Sequence, residues 1–474
     1  MNQILMNQRQ DSIGPYNTSG NGKHDGKSQK RILILGGGFG GIYAARRLEK
    51  VLDGDSALEI HLVNRENFFL FTPMLHEVAA SDLEMTDIVS PIRQLLHHVH
   101  FFTGDVEAVD LLTRRVKVSH GYEKHTHDLS YDYLIIALGS TTDFYNLPGV
   151  EENSITIKSL GDAITLRNQV ISHLEEADSE CAADERNGLM TFVVSGGGFA
   201  GVETIGSVND LVRVSLKFYR NIDPKSVRVV IVHHGEVILP ELGRELGEYA
   251  QAKLKQRGIE IRTKCKITAA SDKDVTLSDG TVIPTRTLIW SAGTTPHRVL
   301  RTLPCPKEKG GLKVNEFLEV DGFPDVWALG DCAAVPDKFT GKMQPSTAQH
   351  AMREGKLAAD NLIAAIRGGA RKPFRYKTMG LLASIGHRTG VAKIFGVKFS
   401  GFLAWWLWRT IYLSKLPRLD KKLRVAMDWT LDLLFSKDLV QFHTGKAPTM
   451  SLEDKDNQKP DEAHAAVGVT AEAK

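Results

Sequence analysis

Short apolar runs closed by glycine recur along the chain, and residues at helical spacing come after them. The first, Ile32–Leu35, is continuous rather than alternating and ends at Gly36, Gly37 and Gly38. A continuous run bounded by glycine is how a parallel strand buried on both faces reads. A helix is predicted after the glycines and a second strand at residues 58–63, LEIHLV, completing a strand–helix–strand unit. The same order returns 160 residues on: TFVV, then Gly196, Gly197 and Gly198, a helix, and the strand VRVVIV at residues 227–232. Segments 131–149, 287–297 and 323–334 each predict a further buried strand running into an Ala-x-Gly, Ala-Gly or Gly-Asp turn.

Towards the end the pattern changes. From Phe402 to Leu413 apolar residues surround a predicted helix except at Ala404, Arg409 and Thr410, and Trp405, Trp406 and Trp408 crowd it. Pro417 ends that element, and a second helix places Leu423, Met427, Leu431 and Leu434 on one stripe. Lys415, Arg418, Lys421, Lys422 and Arg424 cluster at the join. Crossing a membrane takes ~20 apolar residues; the nearest approach, residues 399–413, carries Arg409. Residues 1–30 are polar and predict a disordered leader without a secretory signal, and the stretch 447–474 predicts a disordered tail.

A chain of 474 residues is too long for one ordinary core and suits two or three domains. The net charge is only +2, yet residues 371–446 hold 15 Lys/Arg against 4 Asp/Glu, so the basic character is concentrated at the aromatic end. Four cysteines, Cys181, Cys265, Cys305 and Cys332, stand far apart, which argues against a disulfide framework, a zinc site and a dithiol centre. A reducing compartment fits that usage.

The glycine turns carry the candidate chemistry. Gly36 permits a tight turn, Gly38 lets backbone approach a pyrophosphate, and Gly41 lets the helix pack against the strand. Amides at the helix N-terminus then face the phosphates. Gly196, Gly198 and Gly201 repeat the spacing. One such turn is a weak signal; two, each between strand and helix, predict that the protein holds two dinucleotides.

With these motifs the chain resembles the flavoproteins that have two dinucleotide-binding domains, and among them the type II (non-proton-pumping) NADH:quinone oxidoreductases, over roughly residues 30–445. The segment STAQHAMREGKLAADNL (346–362) is the most specific match: Ala348, Gln349, Ala351 and Gly355 agree, while Arg353 stands where a second Gln is common. The resemblance implies an α/β fold with two Rossmann-like domains, for FAD and NAD(P)H, plus a C-terminal amphipathic helical membrane-anchoring region. The implied division is an FAD domain in two parts (31–155 and 295–375), an NAD(P)H domain (156–294) and membrane-docking helices (376–446).

By the same resemblance FAD meets Gly36, Gly38, Phe39, Gly40 and Gly41, then Asn64 and Arg65, the backbone of Val106, Ala137, Gly139, Asp331 and Ala348. NADH, with NADPH open, meets Gly196, Gly198, Phe199, Ala200, Gly201, Glu203, His233, Ala292 and Gly293. A carboxylate usually ends the second strand to bind ribose hydroxyls; here Asn64 and His233 occupy those places, and Glu236 lies near enough to bend back. Glu203 reads either as a first-turn acid favoured by the helix dipole or, by the resemblance, as a carboxylate beside the nicotinamide that positions NADH or relays protons. Gln349 reads as a helix N-terminal polar residue or as a hydrogen-bonding partner of the flavin or quinone.

The implied activity is hydride transfer from NADH to FAD, then two-electron reduction of a membrane quinone, without proton pumping. A soluble reductase of a ferredoxin-like or rubredoxin-like carrier, and a flavoprotein that senses nucleotide state, remain alternatives. The basic, tryptophan-rich end suits a membrane surface, or a homodimer contact, better than nucleic acid, because its aromatics adjoin one another instead of interleaving with cations. The expected location is peripheral, on the cytoplasmic face of the inner membrane.

Overall fold

The computed structural model describes residues 29–442 apart from 433 and 436, so residues 1–28 of the expected leader, residues 443–446 and the expected tail lie outside the described residues. The apolar runs form two five-stranded parallel sheets. In the first the order is Val326–Ala328, Tyr133–Ile136, Lys30–Leu35, Leu58–Asn64, His100–Thr103. Ile32, Leu33, Ile34 and Leu35 are all fully buried, because helices or sheets cover both faces and no position in the run meets water. Leu35 stands beside both Val63 and Ile136, so the three strands end level, at the edge where the first glycine turn begins.

The second sheet runs Ser154–Ile155, Thr287–Trp290, Thr191–Ser195, Arg228–Val232, Ile259–Arg262. Its strands lie between two strands of the first sheet in sequence, so the chain leaves the first sheet after Ile136 and re-enters at Val326. Ser154–Ile155 pairs with Leu288 and Ile289, which moves the crossing to a point before residue 154 instead of after residue 155. Two antiparallel strands, Ser140–Thr142 and Thr294–Pro296, form the paired connection between the sheets.

Helix α1 (Phe39–Val51) comes after the first glycine turn, α2 (Leu75–Ala79) lies beyond the second strand, and α3 (Phe199–Ser215) comes after the second glycine turn. Helix α4 (Ala348–Arg367) packs on α1 at Gly355, where a Cβ would lie 2.2 Å from the Gly40 carbonyl oxygen. Only glycine allows the two helices to come that close.

The C-terminal region differs from a set of helices. It opens with a three-stranded antiparallel sheet, Gly380–Ser384, Gly390–Ile394 and Val397–Gly401, and only then gives α5 (Phe402–Lys415) and α6 (Leu419–Leu431). These strands are short and glycine-bounded, with turns at Gly386 (φ +103°) and Gly396 (φ +86°), and lack the long apolar run that marked the others. Helix α5 buries Ala404 and Trp408 but exposes Phe402, Leu403 and Trp406. Helix α6 buries Val425 and Trp429 and leaves the predicted stripe of Leu423, Met427 and Leu431 exposed; Leu434, also exposed, lies past the helix end. Among the described residues no helix is long and apolar enough to cross a membrane.

Gly355→Ala is expected to lower stability by ~1–3 kcal/mol, the usual cost of overpacking a core contact. A fall in the thermal unfolding midpoint would register it, and an unchanged midpoint would mean the α1–α4 approach can relax.

Candidate active site

The two glycine turns have the same geometry. Gly36 has φ +101° and Gly196 φ +110°, a region open to glycine at little cost. Their N–H groups donate to Val63 O at 2.8 Å and Val232 O at 2.9 Å. At Gly41 a Cβ would fall 1.8 Å from Gly36 O, and at Gly201 2.0 Å from Gly196 O, so each helix rests directly on its turn. Gly38 and Gly198 cap α1 and α3 without any side-chain cap, and nothing lies within 4 Å of where their Cβ atoms would be. Uncapped first-turn amides beside open space fit a pyrophosphate at each turn.

Asn64 and His233 share one role in the fold. Gly37 N–H donates to Asn64 Oδ1 at 2.8 Å, and Gly197 N–H to His233 Nδ1 at 3.2 Å. Burial lowers the pKa of His233 and keeps the imidazole neutral, as an acceptor nitrogen requires. Glu236 does not bend back: it pairs with Lys264 at 2.8 Å and Arg244 at 3.8 Å. Arg65 pairs with Asp105, and Val106 lies in a separate antiparallel sheet, opposite Val118.

A cavity of about 900 Å³ opens where the modules meet. The first turn supplies Gly38, Phe39 and Gly40; the strand ends supply Ala137, Gly139 and Asp331; the second turn supplies Phe199, Ala200 and Glu203. Ala348, Gln349 and Arg353 form another side, and the C-terminal domain closes it with residues 379–382, Ile411, Tyr412 and Lys415. Gly36, Gly41, Asn64, Gly196, Gly198, Gly201, His233, Ala292 and Gly293 are not on this wall; they lie at the glycine turns and strand ends behind it.

Glu203 is the fifth residue of α3, past the first turn, and is buried rather than dipole-facing in solvent. Its Oε1 accepts from Trp408 Nε1–H at 2.9 Å and Ser384 N–H at 3.2 Å, both from the C-terminal domain. Burial pushes its pKa up to about 8, against those two donors, and Glu77 adds to the rise. Glu77, one helix away, is likewise pushed to about 8 by burial, with Arg409 opposing. Arg409 sits 3.9 Å from Glu77, its guanidinium between the Trp405 and Trp429 rings. Its place inside the predicted apolar helix is therefore that of a half-buried cation turned inwards to Glu77.

Gln349 donates to Gly380 O at 3.1 Å and accepts from the Tyr376 hydroxyl at 2.8 Å, which leaves one amide N–H free for the cavity. Arg353 stacks on Tyr376 at 4.0 Å and donates to Gln349 O at 2.7 Å. Ser140 Oγ donates to Asp331 at 2.9 Å, with Lys158 behind it. Cys332 is fully buried and its thiol is pushed up to about 11 by burial, far from thiolate chemistry. Sequence reasoning missed His76, Glu77, Lys158, Ser384, Trp408 and Tyr412 as site residues. None carries a motif at its own position, because each reaches the site through packing between modules.

The pattern of the pyridine nucleotide-disulphide oxidoreductase family matches residues 30–355, and that of the NDH2 C-terminal domain matches residues 379–438. The chain is 32% identical over 423 residues to the type II NADH:quinone oxidoreductase Ndh of Mycobacterium tuberculosis, covering 86% of this chain and 89% of that protein. It is 33% identical over 412 residues to the demethylphylloquinone reductase NdbB of a Synechocystis species, covering 85% and 96%. In fold it is similar to the NDH2 of Plasmodium falciparum solved with NADH, with a TM-score of 0.80 at 19% identity over 87% of this chain and 100% of that one.

The buried acids set a pH dependence. A carboxyl whose folded pKa is raised to about 8 keeps its proton in the native state, while the unfolded chain releases it near the ordinary value of 4.5. Between those two values the native state binds more protons, so stability falls as pH rises, by at most ~1.4 kcal/mol per pH unit for one such group. Glu203→Gln cannot ionise, and its unfolding midpoint relative to wild type is expected to rise steadily from about pH 5 to about pH 8. A gap that stays flat across that window would show that Glu203 ionises normally in the folded protein.

Proposed function

The chain belongs to the type II NADH:quinone oxidoreductases, within the pyridine nucleotide-disulphide oxidoreductase family, and from that premise we propose that it oxidises NADH and reduces a membrane quinone without pumping protons. The observation that carries this reading is a single cavity walled by both glycine-turn helices and by the C-terminal domain. FAD, when bound, supplies a two-electron carrier between hydride donor and quinone. In this reading the open face at Gly38, with Phe39 and Gly40, holds its pyrophosphate, and Asp331, braced by Ser140, meets its ribityl side. Ala137, Gly139 and Ala348 line its ring edge. Phe199 and Ala200, at the start of α3, receive the nicotinamide nucleotide. Glu203 holds the proton that the quinone chemistry requires, and the free N–H of Gln349, with Arg353 beside it, orients the quinone carbonyl. We assign NADH as donor; with His233 bound to Gly197 and Glu236 bound to Lys264, no carboxylate is free at the strand end to reject NADPH.

The exposed faces of α5 and α6 support peripheral docking on anionic lipid. Phe402, Leu403 and Trp406 on one helix and Leu423, Met427 and Leu431 on the other present apolar surface with Arg424 nearby. Of the basic cluster, Arg418 and Lys421 are partly taken up by Asp420 and Asp87, so apolar insertion carries more of the docking than charge. The same module closes the cavity, which gives a lipid-dissolved quinone a short path to it. The cytoplasmic face of the inner membrane and a homodimer that aligns two such faces complete the reading.

The direct test is NADH consumption by the purified yellow protein, measured with and without a short-chain quinone and repeated with NADPH. NADH loss that needs no quinone, or that ignores it, would contradict the assignment. Glu203→Gln is expected to cut quinone-dependent turnover on the order of 100-fold, the usual scale for one general acid, with FAD content unchanged. The pair Leu423→Glu and Met427→Glu is expected to lower binding to anionic vesicles by about tenfold or more. Turnover of the soluble enzyme with a short-chain quinone should be preserved, and undiminished vesicle binding would move the docking face elsewhere.

A further inference from the structure

Beside Glu203, in the wall of the same cavity, a second titratable side chain is buried with half of its hydrogen-bonding capacity unused. His76, on α2, is 4% exposed. Its Nδ1 lies 2.9 Å from Ser207 Oγ on α3, while its Nε2 has no hydrogen-bond partner and lies 4.0 Å from Glu203 Oε1. That separation is too long for a hydrogen bond, and it is not an ion pair: burial, with Arg409 nearby, lowers the pKa of His76 to about 3 and keeps the ring neutral. A buried acceptor left unpaired is costly unless it has a partner in some state of the protein.

We propose that His76 is the proton partner of Glu203, a positioning residue whose neutral imidazole satisfies the Glu203 carboxyl in both of its protonation states. This rests on the reading of Glu203 as the proton carrier for quinone reduction. NADH delivers two electrons and one proton as hydride; the quinol's second proton comes from water, so one group at the cavity must lose and regain a proton each turnover. With Glu203 protonated, its O–H donates to Nε2, and Nδ1–H donates to Ser207 Oγ. With Glu203 ionised, the other tautomer donates Nε2–H to the carboxylate, and Nδ1 accepts from the Ser207 hydroxyl. His76 and Ser207 together hold the same number of protons in both states, so only the Glu203 proton is exchanged with the cavity.

The two groups hydrogen-bonded to Glu203 cannot do this. Trp408 Nε1–H and Ser384 N–H only donate. Glu77, on the same helix as His76, raises the Glu203 pKa, and Arg409, from α5, faces Glu77. Tyr412, also from α5, makes no hydrogen bond to Glu203 among the described residues; burial, with Glu203 nearby, makes it hold its own proton more tightly.

The test is an infrared titration of the oxidised, FAD-loaded enzyme, in which the protonated-carboxyl band of Glu203 is the one missing from Glu203→Gln. In wild type its midpoint is expected above the ordinary carboxyl value of 4.5, because burial raises it. His76→Met, similar in size but without donor or acceptor, should raise that midpoint by about one to two pH units, the effect of one hydrogen bond to a charged group. His76→Gln, which can both donate and accept, should stay within about half a unit of wild type. The alkaline limb of quinone-dependent flavin reoxidation should move with the band. If methionine is not accommodated, His76→Leu asks the same question. A midpoint unmoved in the apolar variant, or moved as far by glutamine as by methionine, overturns the proposal. If the band shifts as stated but Glu203→Gln reduces quinone at the wild-type rate, the partnership stands and the role given to Glu203 falls.

Discussion

Both nucleotide turns depend on a backbone contact that no side chain permits. Gly41 sits on the carbonyl of Gly36, and Gly201 on that of Gly196, so the first amides of each helix project past the end of a parallel sheet. Level strand ends, set by the registers of Leu35 with Val63 and Ile136, carry the turn to the sheet edge where those amides face open space. The same economy of space recurs where α4 crosses α1 at Gly355, which brings Gln349 and Arg353 to the cavity. The site is thus assembled by close backbone approach, and its polar side chains are arranged around it afterwards.

The C-terminal domain is part of this site as well as a surface module. Trp408 and Ser384 place their N–H groups on Glu203, Gly380 accepts from Gln349, and Arg409 and Trp429 meet Glu77. Two carboxyls that would ionise freely in water are therefore enclosed by the element whose outer face is apolar. Burial raises their pKa values to about 8. The helices α5 and α6 both carry the exposed apolar face and send Trp408 and Trp429 inwards to Glu203 and Glu77. Arg409 joins the two at one residue: a charge in an otherwise apolar helix, turned inwards to a buried acid.

Much of the framework was legible in the chain. Continuous apolar runs ending in glycine identify strands of a doubly covered parallel sheet, and the spacing of Gly36, Gly38 and Gly41 identifies a tight turn and the helix it opens. These signals are local, because a strand's burial and a turn's steric demand act within a few residues. The aromatic end was also legible in composition, and its exposed stripe at Leu423, Met427 and Leu431 lies where helical spacing put it. The strands at 380–401 were not, since short glycine-bounded segments carry no periodicity long enough to separate them from loops.

What the amino-acid order determined by itself was the pair of glycine turns between strand and helix, the absence of any cysteine pairing motif and the amphipathic ending. Tertiary structure alone decided that Asn64 and His233 lock the glycine turns, that Glu203 is enclosed and proton-holding, and that His76 lies across from it. Those outcomes depend on side chains from α2, α3 and α5 meeting at distances of a few ångströms, from positions as far apart as 76, 203 and 408. Burial and its electrostatic consequences belong to that meeting, and no single segment contains them.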